Sequence, residues 1–161
     1  SGAGDTYSPP GGAWTDPVSG LTWQVIPTGG TVDWSIAAAY CAGMSPAGAW
    51  RLPDIGELRS LIRGCPSTEL GSAICGVEEG GCLSSSCLDL GAGLCEPCPE
   101  LEGPADGCYW PDEMQGTCGG YYWSSSEVSD LEVCVWEINY AYGGLSYDVN
   151  TVSGVSVRCV R

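Results

Sequence analysis

The stretch Trp50-Arg51-Leu52-Pro53-Asp54-Ile55-Gly56-Glu57-Leu58-Arg59-Ser60-Leu61-Ile62 decides the fold. Pro53 has no amide donor and disfavours helix at Leu52, so the chain enters extended. Asp54 then caps a helix, with Glu57 three residues on at the spacing of a capping box. Ile55, Leu58, Leu61 and Ile62 share one helical face, which must pack on something. Gly64 is the expected stop. Nothing in this stretch is catalytic by itself, and Arg51 is expected to pair with a nearby acid.

Upstream, Trp14-Thr15-Asp16-Pro17 and Leu21-Thr22-Trp23-Gln24-Val25 read as two short strands around a turn supplied by Asp16-Pro17 and Ser19-Gly20. Asp33 or Thr31 begins a helix in which Ala37, Tyr40, Cys41 and Met44 form an apolar stripe. Residues 1–12, with Pro9-Pro10 and four glycines, read as a linker or N-terminal arm. Residues 13–161 read as a single domain.

Between Cys65 and Cys118 the character changes. Eight of the eleven cysteines lie here, among Gly, Pro and Ser and with little periodicity. An unstapled loop of this length is out of place in a compact domain, so 65–118 reads as a disulfide-stapled surface insertion. Order returns at Tyr121-Tyr122-Trp123-Ser124-Ser125-Ser126, a strand whose terminal hydroxyls are expected to bond backbone. In 133–140, Cys134, Trp136, Ile138 and Tyr140 share the more apolar face. Val155, Val157 and Cys159 share one face of a last strand, with Ser156 and Arg158 on the other.

Composition excludes several functions. The net charge is −15, with five arginines, no lysine and no histidine. Such a surface repels nucleic acid and heparin-like polyanions. No stretch is long and apolar enough to insert in a bilayer. The cysteine count points to an oxidising compartment, hence a secreted or cell-surface location. Without a basic-then-apolar start, the sequence reads as a mature or excised extracellular segment. Lack of histidine removes Ser-His-Asp and Cys-His chemistry, so no catalytic residue is assigned and the chain is read as a non-enzyme. Cys95-Glu96-Pro97-Cys98 has zinc-like spacing, but oxidation is the better account in this compartment. No cofactor is required. Calcium is permitted by the acidity, the plain alternative being a solvated acidic face.

The fragments at 14–24, 38–41, 50–58, 122–126 and 157–161 occur in an order that resembles the Lcl C-terminal domain family. The resemblance covers 14–63 and 119–161. It implies an α+β, C-type-lectin-like fold, distantly akin to the formylglycine-generating-enzyme/sulfatase-modifying fold, with two helices packed on a small twisted antiparallel sheet. It also implies a long disulfide between Cys41 and Cys159, both on apolar faces. Cys65, Cys75, Cys82, Cys87, Cys95, Cys98, Cys108 and Cys118 can then pair among themselves in an order the sequence does not give. Cys134 is left as a free buried thiol, a thiol that exchanges with an insertion cysteine, or an intermolecular link.

Function is then expected in recognition or adhesion, with a glycan or protein ligand held by the long loops. The candidate ligand-binding residues are Tyr109, Trp110, Asp112, Glu113, Glu127, Asp130, Tyr140, Tyr142, Tyr147 and Asp148, since aromatic faces stack and polar neighbours orient. The lectin calcium signatures Glu-Pro-Asn, Gln-Pro-Asp and Trp-Asn-Asp are absent. The alternative is a structural subunit of an extracellular assembly or filament, self-associating through the same loops.

Overall fold

The computed structural model describes residues 12–27, 30–44, 48–72, 74–77, 81–89 and 95–161. The N-terminal arm expected over 1–12 therefore lies outside the described residues, Gly12 excepted.

Helix α2, Ile55–Ser60, starts as its sequence requires. The Asp54 carboxylate accepts from the Glu57 amide at 2.7 Å, and Glu57 Oε1 accepts from the Asp54 amide at 2.9 Å. The same Glu57 carboxylate holds both Arg51 terminal nitrogens at 2.6 Å. Ile55, Leu58, Leu61 and Ile62 are buried together. The helix ends before the expected stop: the Leu61 and Ile62 amides reach back only three residues, to the carbonyls of Leu58 and Arg59. Gly64 turns the chain after this tightened turn, at φ +88°, where a Cβ would meet Pro104 Cδ at 2.7 Å.

Strands β1, Ala13–Thr15, and β2, Thr22–Gln24, form a two-stranded antiparallel sheet that pairs Trp14 with Trp23. Helix α1, Trp34–Ala42, is capped by Asp33, whose carboxylate accepts from the Ile36 amide at 3.0 Å. Its Ala37 and Cys41 are buried, as is Met44 just beyond it. Strands β3, Tyr121–Glu127, β4, Cys134–Asn139, and β5, Gly144–Val149, form the second antiparallel sheet in the order β3-β4-β5. Its register shifts between Trp123 and Glu127. There the Ser124 hydroxyl donates to the Trp136 carbonyl at 2.6 Å, and Ser126 Oγ accepts from the Ile55 amide at 3.0 Å. The serine run is thus structural.

The last segment, 155–161, differs from the expected strand. Its partners are scattered over several elements, so it makes only isolated bridges. Arg161 and Thr22 exchange bonds of 2.8 and 2.9 Å, and Arg51 and Val160 exchange bonds of 2.9 and 3.0 Å. Ser156 sits against β3, its amide donating to Tyr121 and its carbonyl accepting from Trp123. The two faces still alternate, Val155, Val157 and Cys159 entering one core and Val160 the other.

The three-stranded sheet is covered on both faces. Tyr122, Trp136 and Ile138 face one core, built with α2 and with Tyr109, Trp110 and Met114. Trp123 and Val135 face another, built with Ala37, Cys41, Trp50 and Val157. The 65–118 segment is therefore a wall of the first core as well as a surface feature. Cys41–Cys159 ties α1 to the last segment, while Cys65–Cys98, Cys75–Cys95, Cys82–Cys87 and Cys108–Cys118 all close within 65–118. The Cys95-x-x-Cys98 pair is thus oxidised, each cysteine to a different partner. Cys134 is free and half-buried.

Candidate functional site

Three candidate ligand contacts are core residues, and the expectation for them is corrected. Tyr109 and Trp110 are each 3% exposed and Tyr140 is fully buried. The Tyr109 hydroxyl donates to the Pro99 carbonyl and the Tyr140 hydroxyl to the Leu58 carbonyl, both at 2.7 Å. Trp110 packs on a cation instead of facing solvent. The Arg158 guanidinium lies 4.9 Å from its ring centroid and 5.5 Å from that of Tyr122.

Arg158 is only 1% exposed and donates to the carbonyls of Gln24, Val25 and Gln115. Burial holds its pKa below the ordinary arginine value. One side chain thereby fastens β2 and the Cys108–Cys118 loop to the last segment. The alternation of the last strand placed Arg158 opposite Val157; the sequence carried no sign that this opposite face is also buried.

The other candidates fall into separate groups. Asp112 and Glu113 are exposed on the Cys108–Cys118 loop. Asp112 lines a depression of about 290 Å³ together with Asp106, Trp110 and Met114. Tyr142 lies just before β5 and makes a short hydroxyl–hydroxyl bond to Tyr121. Burial, then that bond, push its phenol above the ordinary value, so it stays protonated.

Glu127, Asp130, Tyr147 and Asp148 lie at the end of the sheet where β4 begins, Glu127 and Asp148 on the Val135 face and Tyr147 on the Trp136 face. Glu127 and Asp148 both pair with Val135, one from each side. Tyr147 stands edge-on to Trp136 with centroids 5.4 Å apart. Asp130 accepts from the Ser85 amide at 2.7 Å and from the Ser85 hydroxyl at 2.6 Å. Those bonds hold its carboxyl below the usual carboxylate range. Next to it, the Leu83 carbonyl accepts from the Ser129 amide and from Trp136 Nε1, each at 3.0 Å. The small Cys82–Cys87 loop and its 3-10 turn, Ser85–Asp89, are thus docked on the β3–β4 connection.

Two residues at this end were not singled out in the sequence. Val133 is 57% exposed and has φ +58°, a left-handed conformation that disfavours β-branched side chains. Its carbonyl accepts from the Asn150 amide at 2.7 Å, which fixes it there. Val149, 39% exposed, pairs with Cys134. No sequence signal marks Val133, because its conformation is imposed by the pairing of its neighbours.

Behind this rim, Glu137 shares the Val135 face of β4 and is 3% exposed. Its Oε2 has no hydrogen-bond partner among the described residues. Burial, then the Asp148 charge, push its pKa up to about 7. Among the described residues no group of three or more acidic, cysteine or histidine side chains could hold a metal ion. What the rim offers is carboxylates, one aromatic edge and two exposed valines beside the docked Cys82–Cys87 loop.

The family model of the Lcl C-terminal domain matches residues 12–161. No curated protein and no solved structure matches the chain significantly.

Proposed function

We propose that this chain, which belongs to the Lcl C-terminal domain family, is an extracellular recognition or adhesion module of C-type-lectin-like fold. Its ligand is a glycan or a protein surface, met by the rim of Glu127, Asp130, Val133, Tyr147, Asp148 and Val149. The observation that carries this reading is Val133. A β-branched residue held in the left-handed region costs on the order of 1–2 kcal/mol, and such strain clusters where a chain is used rather than where it is merely packed. Here it presents an apolar side chain to solvent among carboxylates. Five disulfides suit an oxidising, extracellular setting. The absence of histidine from the sequence removes Ser-His-Asp and Cys-His nucleophilic chemistry.

A glycan array probed with and without calcium tests the lectin arm. The expected result is binding that drops at least tenfold in Val133→Asp and in Asp148→Ala and is unchanged in Asp112→Ala. Binding that Asp112→Ala removes and Val133→Asp leaves intact moves the site away from this rim. Silence under both conditions sinks the glycan ligand and leaves a protein one. Light scattering at rising concentration separates recognition from assembly: a monomer supports the module, and ligand-free polymers support the structural subunit.

A further inference from the structure

We propose, resting on the recognition role assigned above, that the partner met by the rim is a basic protein segment, whose guanidinium or ammonium group supplies the counter-charge that the rim carboxylates and the buried Glu137 behind them lack. Glu127, Asp130 and Glu132 are exposed and Asp148 is half-buried, and all four lie where β3 ends, β4 begins and β5 ends. Asp148 Oδ1 accepts from the Val149 amide at 2.8 Å, and Ser85 fixes both oxygens of Asp130. Among the described residues none of the four forms an ion pair with an arginine. The chain has five arginines and no lysine or histidine, and all five are engaged elsewhere. Arg51 holds Glu57, and Arg63 holds Asp16. Arg59 and Arg158 are buried and donate to backbone carbonyls. Arg161 lies 5.1 Å from the centroid of the Trp50 ring. A fixed side-chain counter-charge for the rim therefore comes from outside the chain.

Glu137 points the same way. It is 3% exposed, and its Oε2 has no hydrogen-bond partner among the described residues. It shares the Val135 face with Glu127 and Asp148. Asp148 stands opposite Val135, a diagonal step of about 7–8 Å from Glu137. Burial, then the Asp148 charge, favour the protonated form of Glu137. Tyr142 also faces it: the ring fills the space beside Gly144, the hydroxyl bonds that of Tyr121 on β3, and the charges of Glu100 and Glu137 both act on the phenol. Helix α1, which packs on the same face, carries no charged residue, and the Arg158 side chain lies in the other core against Trp110 and Tyr122. A cation seated on Asp148 offsets the repulsion that helps keep Glu137 protonated. By linkage, binding then releases a proton from Glu137, and ionised Glu137 tightens binding. The exposed Val149 adjoins Asp148, and the exposed Val133 is tied to Asn150 just beyond it. They give the apolar stem of an arginine or lysine a surface to lie on.

The probe is an acetylated, amidated peptide of three Arg-Val repeats, with its citrulline counterpart as the neutral control. Each is titrated into the full chain by calorimetry at about 0.1 M salt, between about pH 5.5 and pH 8, where ordinary carboxylates stay ionised. The arginine peptide should bind and the citrulline peptide should not. Glu127→Gln/Asp148→Asn should weaken binding about tenfold, as the loss of two ion pairs would. Asp112→Asn/Glu113→Gln, which removes the same charge from the Cys108–Cys118 loop, should leave it unchanged. Affinity should rise about tenfold from the acid to the alkaline end, the change produced by a one-unit fall in the Glu137 pKa on binding, and stay flat in Glu137→Gln. If that variant does not fold, proton release by the natural chain decides: near pH 6.5 the binding heat should vary with the ionisation enthalpy of the buffer. Equal loss in the two double variants, equal binding of the two peptides, or binding without proton release overturns the proposal. A silent peptide with glycans bound at the rim overturns it and leaves the recognition role standing. Ligand-free polymers built through the rim overturn both.

Discussion

Glu137 is the residue whose surroundings and chemistry disagree most. Burial raises its pKa from the ordinary 4.5 to about 7. A carboxyl with a raised folded pKa binds its proton more tightly in the native state, so stability falls as pH rises through the interval between the two values. The loss begins near pH 4.5 and is complete somewhat above pH 7. It amounts to about 3 kcal/mol at 1.36 kcal/mol per pKa unit. Glu137→Gln should therefore be more stable than the natural chain by about 2–3 kcal/mol at pH 8 and nearly equal to it at pH 4. Urea titrations at the two pH values check this, and an equal effect at both would contradict it. Val133 makes the companion case. Val133→Gly should relieve the left-handed strain and raise stability by about 1 kcal/mol, while weakening whatever the rim binds. A variant that gains stability and keeps full binding would remove Val133 from the recognition surface.

At the scale of elements, α2 shows what local chemistry alone can specify. Proline, cap, box and apolar face all lie within the thirteen residues from Trp50 to Ile62, so the helix start was legible without knowledge of its partners. Asp54→Ala should cost about 1 kcal/mol in chemical denaturation. Glu57→Ala should cost as much or more, because it removes the return bond to Asp54 and the Arg51 pair together. An unchanged midpoint in both variants would mean that packing alone starts the helix. Strand β4 was legible only in part. Its alternation located Trp136 and Ile138 correctly on the more apolar face, but alternation says nothing of what covers the other face. With a core on each face, Val135, Glu137 and Asn139 are buried too. The aromatics of the insertion failed for a related reason. Tyr109 and Trp110 sit in a polar, cysteine-rich stretch and look like a loop's binding groups. Trp110 packs on Arg158, nearly fifty residues away, and Tyr109 is tied by its hydroxyl to the Pro99 carbonyl. A long-range contact of that kind leaves no local periodicity to read.

At the scale of the whole molecule, the cysteines divide the labour. The Cys41–Cys159 bond spans 118 residues and fastens α1 to the last segment, whereas the other four close short loops. In the chain-entropy view the long closure contributes about 4–5 kcal/mol. Cys41→Ala/Cys159→Ala should lose most of that in thermal or denaturant unfolding, while the four short bonds persist on a mass map. A loss below about 1 kcal/mol would place the stabilisation elsewhere, in the two cores. The family resemblance carried this pairing, and apolar patterning agreed with it. The pairings within 65–118 depend on the folded path of that segment, which spacing alone does not encode.

The lacing of 155–161 through β2, β3 and Arg51 also sets an order of events during synthesis. Thr22, Gln24 and Arg51 find these backbone partners, and Arg158 its three carbonyls, only when residues 155–161 are present. A nascent chain that has emerged only to Asn150 has both sheets' outer edges and the groove for Arg158 still open. It must wait in that state, exposed to proteases and to mispairing of ten already available thiols, until residues 155–161 have followed.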